Sequence, residues 1–212
     1  MKPGKLSVEE VRNSGKFRPV KELRFAEIID FVLENIRLRN VYSLFYYLIN
    51  IILICLLVVV CINGFTEKIL TFKSFMVYFG WGALAGSIIV IPFHEGLHAL
   101  AFLIIGARKI KFGVDFRQMI FYATAENFVA GRNGFNIVAL APFAVLNLAS
   151  LPLIIYGDIE LRLAILTMLL LHNIMCIGDF AMLCFFRENR DKELYTFDDL
   201  ETKTAWFYEK KS

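Results

Sequence analysis

Residues 90–104 read VIPFHEGLHALAFLI, and this stretch places two histidines, His94 and His98, four positions apart. Positions i and i+4 lie on the same face of a helix, so both imidazoles can reach one metal ion. Glu95 points about 100° away around the helix, close enough to hold a water on that ion without being a ligand. The pattern is typical of zinc hydrolases, which combine nitrogen ligands, an open coordination position and a carboxylate that takes a proton from water.

The histidine motif lies inside an apolar run that is long enough to cross a bilayer. No charged residue occurs from Ser74 to Phe93 or from Ala99 to Gly106, and a transmembrane helix needs about 20 apolar residues. A lone histidine on an apolar face is more often a core residue than a ligand. Two histidines and a glutamate in one membrane span are different, because each costs free energy unless paired and one divalent cation would compensate all of them.

The composition is that of a membrane protein. Of the 212 residues 58% are hydrophobic, and the mean hydropathy is +0.58, well above the values of soluble domains. The cysteines fall in apolar runs without metal-type spacing, so we interpret them as small apolar side chains and expect no disulfides. The polar N-terminal segment does not resemble a cleaved signal. We expect the lipid bilayer as a partner of this chain and no nucleic acid.

The apolar runs predict a mainly α, polytopic membrane protein with about four transmembrane helices. The expected spans cover residues 41–65, 74–105, 135–157 and 161–186, and a small cytoplasmic β segment at 108–130 separates the second from the third. These elements form a membrane domain at 41–187, flanked by a cytoplasmic amphipathic segment at 1–40 and a cytoplasmic tail at 188–212. Pro92 removes a backbone hydrogen bond and is expected to bend the second span beside the motif.

Two polar segments carry a periodicity of their own. Apolar residues recur at helical spacing from Phe25 to Ile36, which predicts an amphipathic helix on the membrane surface or packed on the protein itself. From Lys109 to Arg117 apolar and polar residues alternate, which predicts a half-buried strand. A weaker strand is expected from Met119 to Phe128, and residues 131–134 end the segment as a loop.

Lysine and arginine counts predict the orientation. The first 40 residues carry nine, residues 106–134 carry five and residues 187–212 carry six, whereas the connections at 66–73 and 157–162 carry two and one. Basic loops stay on the cytoplasmic side of a membrane. We therefore expect a multi-pass protein of the cell membrane with both termini in the cytoplasm.

A zinc site needs a third protein ligand, and the fourth span offers His172, Asn173 and Asp179. Positions 172 and 179 are seven apart and share a helix face. Both spans run in the same direction, and these two positions bracket the depth of the histidine motif, so spacing alone does not choose between them. An ionised carboxylate in an apolar span needs a cation more than a neutral imidazole does, which favours Asp179 unless it is hydrated at the interface. His172 stays the alternative.

These features together resemble a known family. The histidine motif, the strand-forming segment, a Leu140-Ala141-Pro142 third span and Asn173 followed by Gly178-Asp179 are its marks in this chain. They resemble a bacterial membrane family of zincin peptidases, which is known mainly as a domain of unknown function and is distantly similar to the site-2 intramembrane metalloproteases. The resemblance covers about residues 41–187. The Leu-Asp-Gly and Asn-Pro-Asp-Gly forms that site-2 proteases carry around the third ligand do not occur here.

The resemblance implies His94, His98 and Asp179 as zinc ligands and Glu95 as the catalytic residue. We interpret the chain as an integral membrane zinc metalloprotease that hydrolyses peptide bonds within or next to the membrane. His172 or Asn173 would then donate a hydrogen bond to the tetrahedral intermediate.

The expected substrate is a protein or peptide, membrane proteins included, which adds as a strand to the β segment. That segment could instead be a structural cap. Two rival functions are a non-catalytic metal-binding scaffold, which Glu95 argues against, and a proton- or ion-coupled transporter, which the lack of duplicated halves makes less favourable. The sequence indicates no oligomeric state.

Overall fold

The structure is a computed structural model of the chain, and it describes residues 6–37, 40–115 and 120–211. The fold is mainly helical (65%). The α-helices of the described residues are α1 (Val8–Asn13), α2 (Ile28–Asn35), α3 (Val41–Thr66), α4 (Phe72–Leu84), α5 (Val90–Ile104), α6 (Arg132–Tyr156), α7 (Ile159–Met175) and α8 (Ile177–Glu188). The strands are β1 (Phe17–Arg24), β2 (Ile110–Asp115), β3 (Ile120–Ala125), β4 (Ala130–Gly131), β5 (Leu194–Asp199) and β6 (Thr204–Lys210).

Within the described ranges, three helical segments are long and apolar enough to cross a membrane. They are α3, the continuous helix Phe72–Ile104 and α6, and the pair of α7 and α8 makes a fourth if the two count as one bent span. Many large apolar side chains on these helices are exposed, among them Leu48, Ile51 and Ile104. The prediction of a mainly α protein with about four apolar helices of this length and a small β segment is confirmed at that level.

The second span is irregular just before Pro92, and the predicted bend at this proline stays a prediction. A π-helical turn, Ala85–Ile89, joins α4 to α5 just before Pro92, and such turns interrupt the regular hydrogen-bond ladder of a helix. Gly82 precedes this turn and Gly86 lies within it, and both pack against the backbone of α7. A Cβ on Gly86 would lie 2.6 Å from the Met168 carbonyl oxygen, so the glycines let the two helices approach closely.

The fourth span was predicted as one helix, and the structure breaks it. α7 ends at Met175 and α8 begins at Ile177, with a bend of 46° between them. Cys176 at the junction has φ −68° and ψ 0°, which departs from helical geometry at a single residue. The bend turns the first residues of α8, including Asp179, toward α5.

The two terminal segments were predicted without strands, and this was wrong. β1 from the N-terminal segment pairs with β6 from the tail. The antiparallel sheet, which we call the terminal sheet, has the order β1-β6-β5-β4. The pairing joins Phe17 to Lys210, so the contacts that stabilise these strands are remote in sequence. Each of the three most basic segments, 1–40, 106–134 and 187–212, contributes at least one strand to this sheet. The sheet therefore holds them together at one end of the helix bundle.

The segment between the second and third spans contains the two predicted strands. β2 and β3 pair antiparallel in a two-stranded sheet, while Phe116, Arg117 and Met119 of the predicted strands lie outside the described residues. The predicted loop at 131–134 is instead the last residue of β4 followed by the first turn of α6. Arg132 anchors that turn, because its guanidinium donates to the carbonyl oxygens of Asn189, Arg190 and Lys192.

The amphipathic segment folds as a short 3₁₀ turn, Phe25–Glu27, followed by α2. Phe31 on α2 is buried and its ring lies 5.6 Å from that of Phe185 on α8. The helix therefore packs on the protein itself. Together with the inner face of the terminal sheet, where Leu23 and Phe207 are buried, it covers one end of the bundle.

Candidate metal centre

The two histidines of the motif lie one helical turn apart on α5. His94 and His98 are both buried, and their Nε2 atoms lie 3.0 Å apart. The Nδ1 atom of His98 lies 2.9 Å from the carbonyl oxygen of Val138 on α6. The histidine face of α5 is thus covered by protein, and the four-residue spacing brings both imidazoles to one point.

Asp179 reaches the same point from the first turn of α8. Its Oδ2 atom lies 3.6 Å from Nε2 of His94, and its Oδ1 atom lies 3.4 Å from Nε2 of His98. Among the described residues, His94, His98 and Asp179 form one of two sets that could hold a metal ion.

The spacing of these atoms fits zinc. Zinc lies about 2.0–2.2 Å from nitrogen and oxygen ligands, which places two ligands of a tetrahedral site about 3.3 Å apart. The three observed separations are 3.0, 3.4 and 3.6 Å. Two imidazoles and a carboxylate are also the donor set of several catalytic zinc sites, which keep a fourth position open.

Glu95 borders this set from the side. Its Oε1 atom lies 3.9 Å from Nε2 of His94, and the backbone N–H of Ala123 on β3 donates a hydrogen bond to its carboxylate. The predicted separation of roles between the histidines and Glu95 is thus possible in this geometry. The carboxylate is held near the ligand atoms by a strand and does not belong to either metal-binding set.

His172 and Asn173 lie behind His94, on the opposite side of its ring from Asp179. Nδ1 of His94 lies 3.1 Å from Nε2 of His172, and Nδ1 of His172 lies 3.2 Å from Oδ1 of Asn173. Asn147 on α6 donates to the same oxygen at 2.8 Å. When Nε2 of His94 faces Asp179, its Nδ1–H is the donor to His172, so this chain of hydrogen bonds fixes the orientation of the His94 ring.

The second possible metal set shares His94 with the first and adds His172 and Cys176. The Sγ atom of Cys176 lies 3.5 Å from Nε2 of His172 and 3.9 Å from Nδ1 of His94. All three residues are buried. The first set therefore has access to Glu95 and to open space, while the second set lies inside the helix bundle.

A cavity of about 520 Å³ opens from the first set toward the terminal sheet. Its lining combines the metal-site residues His94, Glu95, His98 and Asp179 with apolar side chains of α2, β3 and the terminal sheet. Neither His172 nor Asn173 is among the described residues that line it. Their predicted hydrogen bond to a reaction intermediate stays a prediction.

Three residues near the site were missed from the sequence. Cys176 follows His172 by four positions and precedes Asp179 by three, so helical spacing alone could have linked it to both. Asn147 gave no signal beyond its polarity in an apolar run. Asp198 lines the cavity from β5, and no pattern marked it because the strand itself was not predicted.

Comparison with known proteins gives one family. The family described as "Putative zincin peptidase" matches residues 87–192, which is half of the chain and includes the histidine motif, β2, β3, α6, α7 and α8. No curated protein and no solved structure matches the chain.

Proposed function

This chain belongs to the zincin peptidase family, and we propose that it is an integral membrane zinc metalloprotease that hydrolyses peptide bonds within or next to the membrane. One observation carries the proposal. The Nε2 atoms of His94 and His98 and the carboxylate of Asp179 converge from two helices, with Glu95 beside them, at the inner end of a cavity.

Each residue has a separate task in this proposal. His94, His98 and Asp179 hold zinc, which when bound supplies a Lewis acid that activates water and polarises the peptide carbonyl. Glu95 accepts the proton of the attacking water and returns it to the leaving amine, as a general base and then a general acid. The Ala123 N–H keeps the Glu95 carboxylate turned toward the ligand atoms.

The free edge of β3 supports binding of an extended peptide. The N–H of Glu126 donates to the carbonyl oxygen of Lys109, and backbone groups alternate in direction along an antiparallel strand. The backbone groups of Phe121 and Ala123 therefore point away from β2, and within the described residues no strand pairs with this edge. The Ala123 N–H already bonds to Glu95, so an added strand would use the Phe121 N–H and the carbonyl oxygens of this edge. Because a helix must be unwound before its peptide bonds are accessible, adding the substrate as a strand here would expose them beside Glu95.

The membrane assignment rests on the long apolar helices and on charge. The three basic segments share one sheet at one end of the bundle, which supports a cytoplasmic location for that end. Cysteine labelling in intact cells tests it. Single cysteines near Glu67 and Gly157 should react from outside, and those near Lys111 and Lys203 should be protected. Labelling at Lys111 from outside would overturn the orientation.

Metal analysis with a peptidase assay tests the whole function. The protein purified in detergent should carry about one zinc per chain and cleave members of a mixed decapeptide library detected by mass spectrometry. Glu95→Gln should keep the zinc and lose at least about a hundredfold in turnover, whereas His98→Ala should lose both. Equal low zinc in wild type and His98→Ala would overturn the proposal, and zinc without any cleavage would indicate a metal-binding scaffold.

A further inference from the structure

Asp198 occupies an inward position of the terminal sheet, next to uncharged residues. Side chains alternate along β5, so Asp198 shares its face with Leu194 and Thr196, both of which are buried. Its cross-strand neighbour is Ala205 on β6, and both residues line the cavity that leads to the metal centre. The carboxylate therefore points into that cavity, across from α2.

Among the residues that the structure describes, the Asp198 carboxylate has no partner. Within the described residues, no side chain or backbone group forms an ion pair or hydrogen bond with it, and burial alone raises the pKa of Asp198 to about 6. The next residue, Asp199, is different, because its carboxylate faces outward and lies 2.7 Å from the guanidinium of Arg12. A carboxylate in apolar surroundings without a partner costs stability, so its presence at this position requires another explanation.

The charges around the cavity indicate what would bind there. The lining contains the carboxylates of Glu95, Asp179 and Asp198, and among its described residues there is no lysine or arginine. Glu95 and Asp179 lie against the histidines of the metal centre, which leaves Asp198 as the acidic group at the other end. The remaining lining is uncharged and mostly apolar, with Phe25 and Val32 among its side chains.

We propose that Asp198 determines substrate specificity by binding a lysine or arginine side chain of the peptide that is cleaved. This inference rests on the proposed function. The peptide would place its cationic side chain against Asp198 and its apolar residues against α2, while its backbone follows the edge of β3 toward Glu95. The substrates are then peptide segments that combine apolar residues with a basic residue a short distance from the cleaved bond.

Peptide binding without turnover tests this. The probes are fluorescent decapeptides of alanine, leucine and phenylalanine, in which one lysine is moved through every position, with matched norleucine and glutamate sets. They are titrated by anisotropy against the zinc-loaded Glu95→Gln protein in detergent. In at least one position lysine should bind roughly tenfold more tightly than norleucine, the range of a partly buried charge pair.

Variants at residue 198 then locate the effect. In the Glu95→Gln protein, the second substitution Asp198→Asn should abolish the preference for lysine peptides. Asp198→Lys should reverse this preference in favour of glutamate peptides. Asp199→Asn is the matched control and should keep the preference. Zinc content shows whether each variant is folded. If Asp198→Lys does not fold, Asp198→Asn still tests the proposal, because asparagine has nearly the same shape as aspartate.

The outcomes separate the two proposals. Zinc-loaded protein that cleaves peptides but binds lysine and norleucine peptides equally would overturn the role of Asp198 and leave the metalloprotease function intact. A lysine preference that persists in Asp198→Asn would overturn it as well. Protein without zinc or cleavage that still binds lysine peptides through Asp198 would contradict the proposed function and support a cation-binding cavity.

Discussion

The two ends of the cavity hold their polar side chains in opposite ways. At the end formed by α5 and α8, every ligand candidate has support. His98 bonds to the carbonyl oxygen of Val138, His94 bonds to His172, and Asp179 lies against both histidines. At the sheet end, Asp198 stands among apolar residues with no partner in the described part of the chain. We call the first the fixed end, because its side chains already hold one another in place, and the second the open end, because its carboxylate is left for a ligand.

The largest expected effect is loss of metal from the fixed end. Asp179→Ala should remove most of the zinc, because two histidines alone hold the ion poorly. Asp198→Asn is the matched control, since it removes a carboxylate from the same cavity and should leave the zinc content unchanged. Inductively coupled plasma mass spectrometry of the purified variants measures both. Equal zinc in Asp179→Ala and wild type would exclude Asp179 as a ligand.

A smaller effect is expected behind the metal. His172→Ala removes the partner of His94 Nδ1 and should lower zinc affinity by roughly 10–100-fold, as for other groups that orient a ligand. At saturating zinc the variant should still bind about one ion. Competition with a fluorescent chelator measures the affinity. The opposite pattern, with zinc lost in His172→Ala and kept in Asp179→Ala, would favour the second set, in which Cys176 completes the site.

The meeting of the two histidines at the fixed end could be predicted from the sequence for a physical reason. A four-residue spacing on a helix determines which side chains meet, so His94 and His98 could be paired without knowledge of the fold. The choice between Asp179 and His172 could not be made in this way. It depends on the 46° bend at Cys176, which swings one helix relative to the other and brings both residues to His94 on different sides.

The open end could not be predicted. β1 pairs with a segment almost two hundred residues away, as Phe17 does with Lys210, whereas β5 and β6 pair with each other across a short turn. Each strand is short, and its alternation alone did not distinguish it from a charged tail. Only the sheet determines that Asp198 faces the cavity, because its acidic neighbour Asp199 points the other way and pairs with Arg12.

The strand between the two ends gives an intermediate effect. Ala123→Pro removes the N–H that bonds to Glu95, and since this N–H points away from β2 the hairpin loses no ladder bond. Turnover should fall roughly tenfold, an amount consistent with one lost hydrogen bond to a charged group, while zinc content stays the same. Turnover is measured with a library peptide that the wild-type protein cleaves, from samples quenched at fixed times. Unchanged turnover would show that this contact does not position Glu95.

The smallest expected effect concerns stability at the open end. Burial raises the pKa of Asp198 to about 6, so the folded protein holds this proton more tightly than the unfolded chain, and ionisation of the carboxyl destabilises the fold. The cost begins near pH 4, grows until about pH 6 and then stays constant. Asp198→Asn removes it and should stabilise the protein by about 1 kcal/mol at pH 7.5, since water in the cavity reduces the full cost. At pH 4 the variant and wild type should melt together. Thermal unfolding followed by intrinsic fluorescence at both pH values measures the difference, and a variant that is less stable at pH 7.5 would mean that Asp198 has a stabilising partner within the fold.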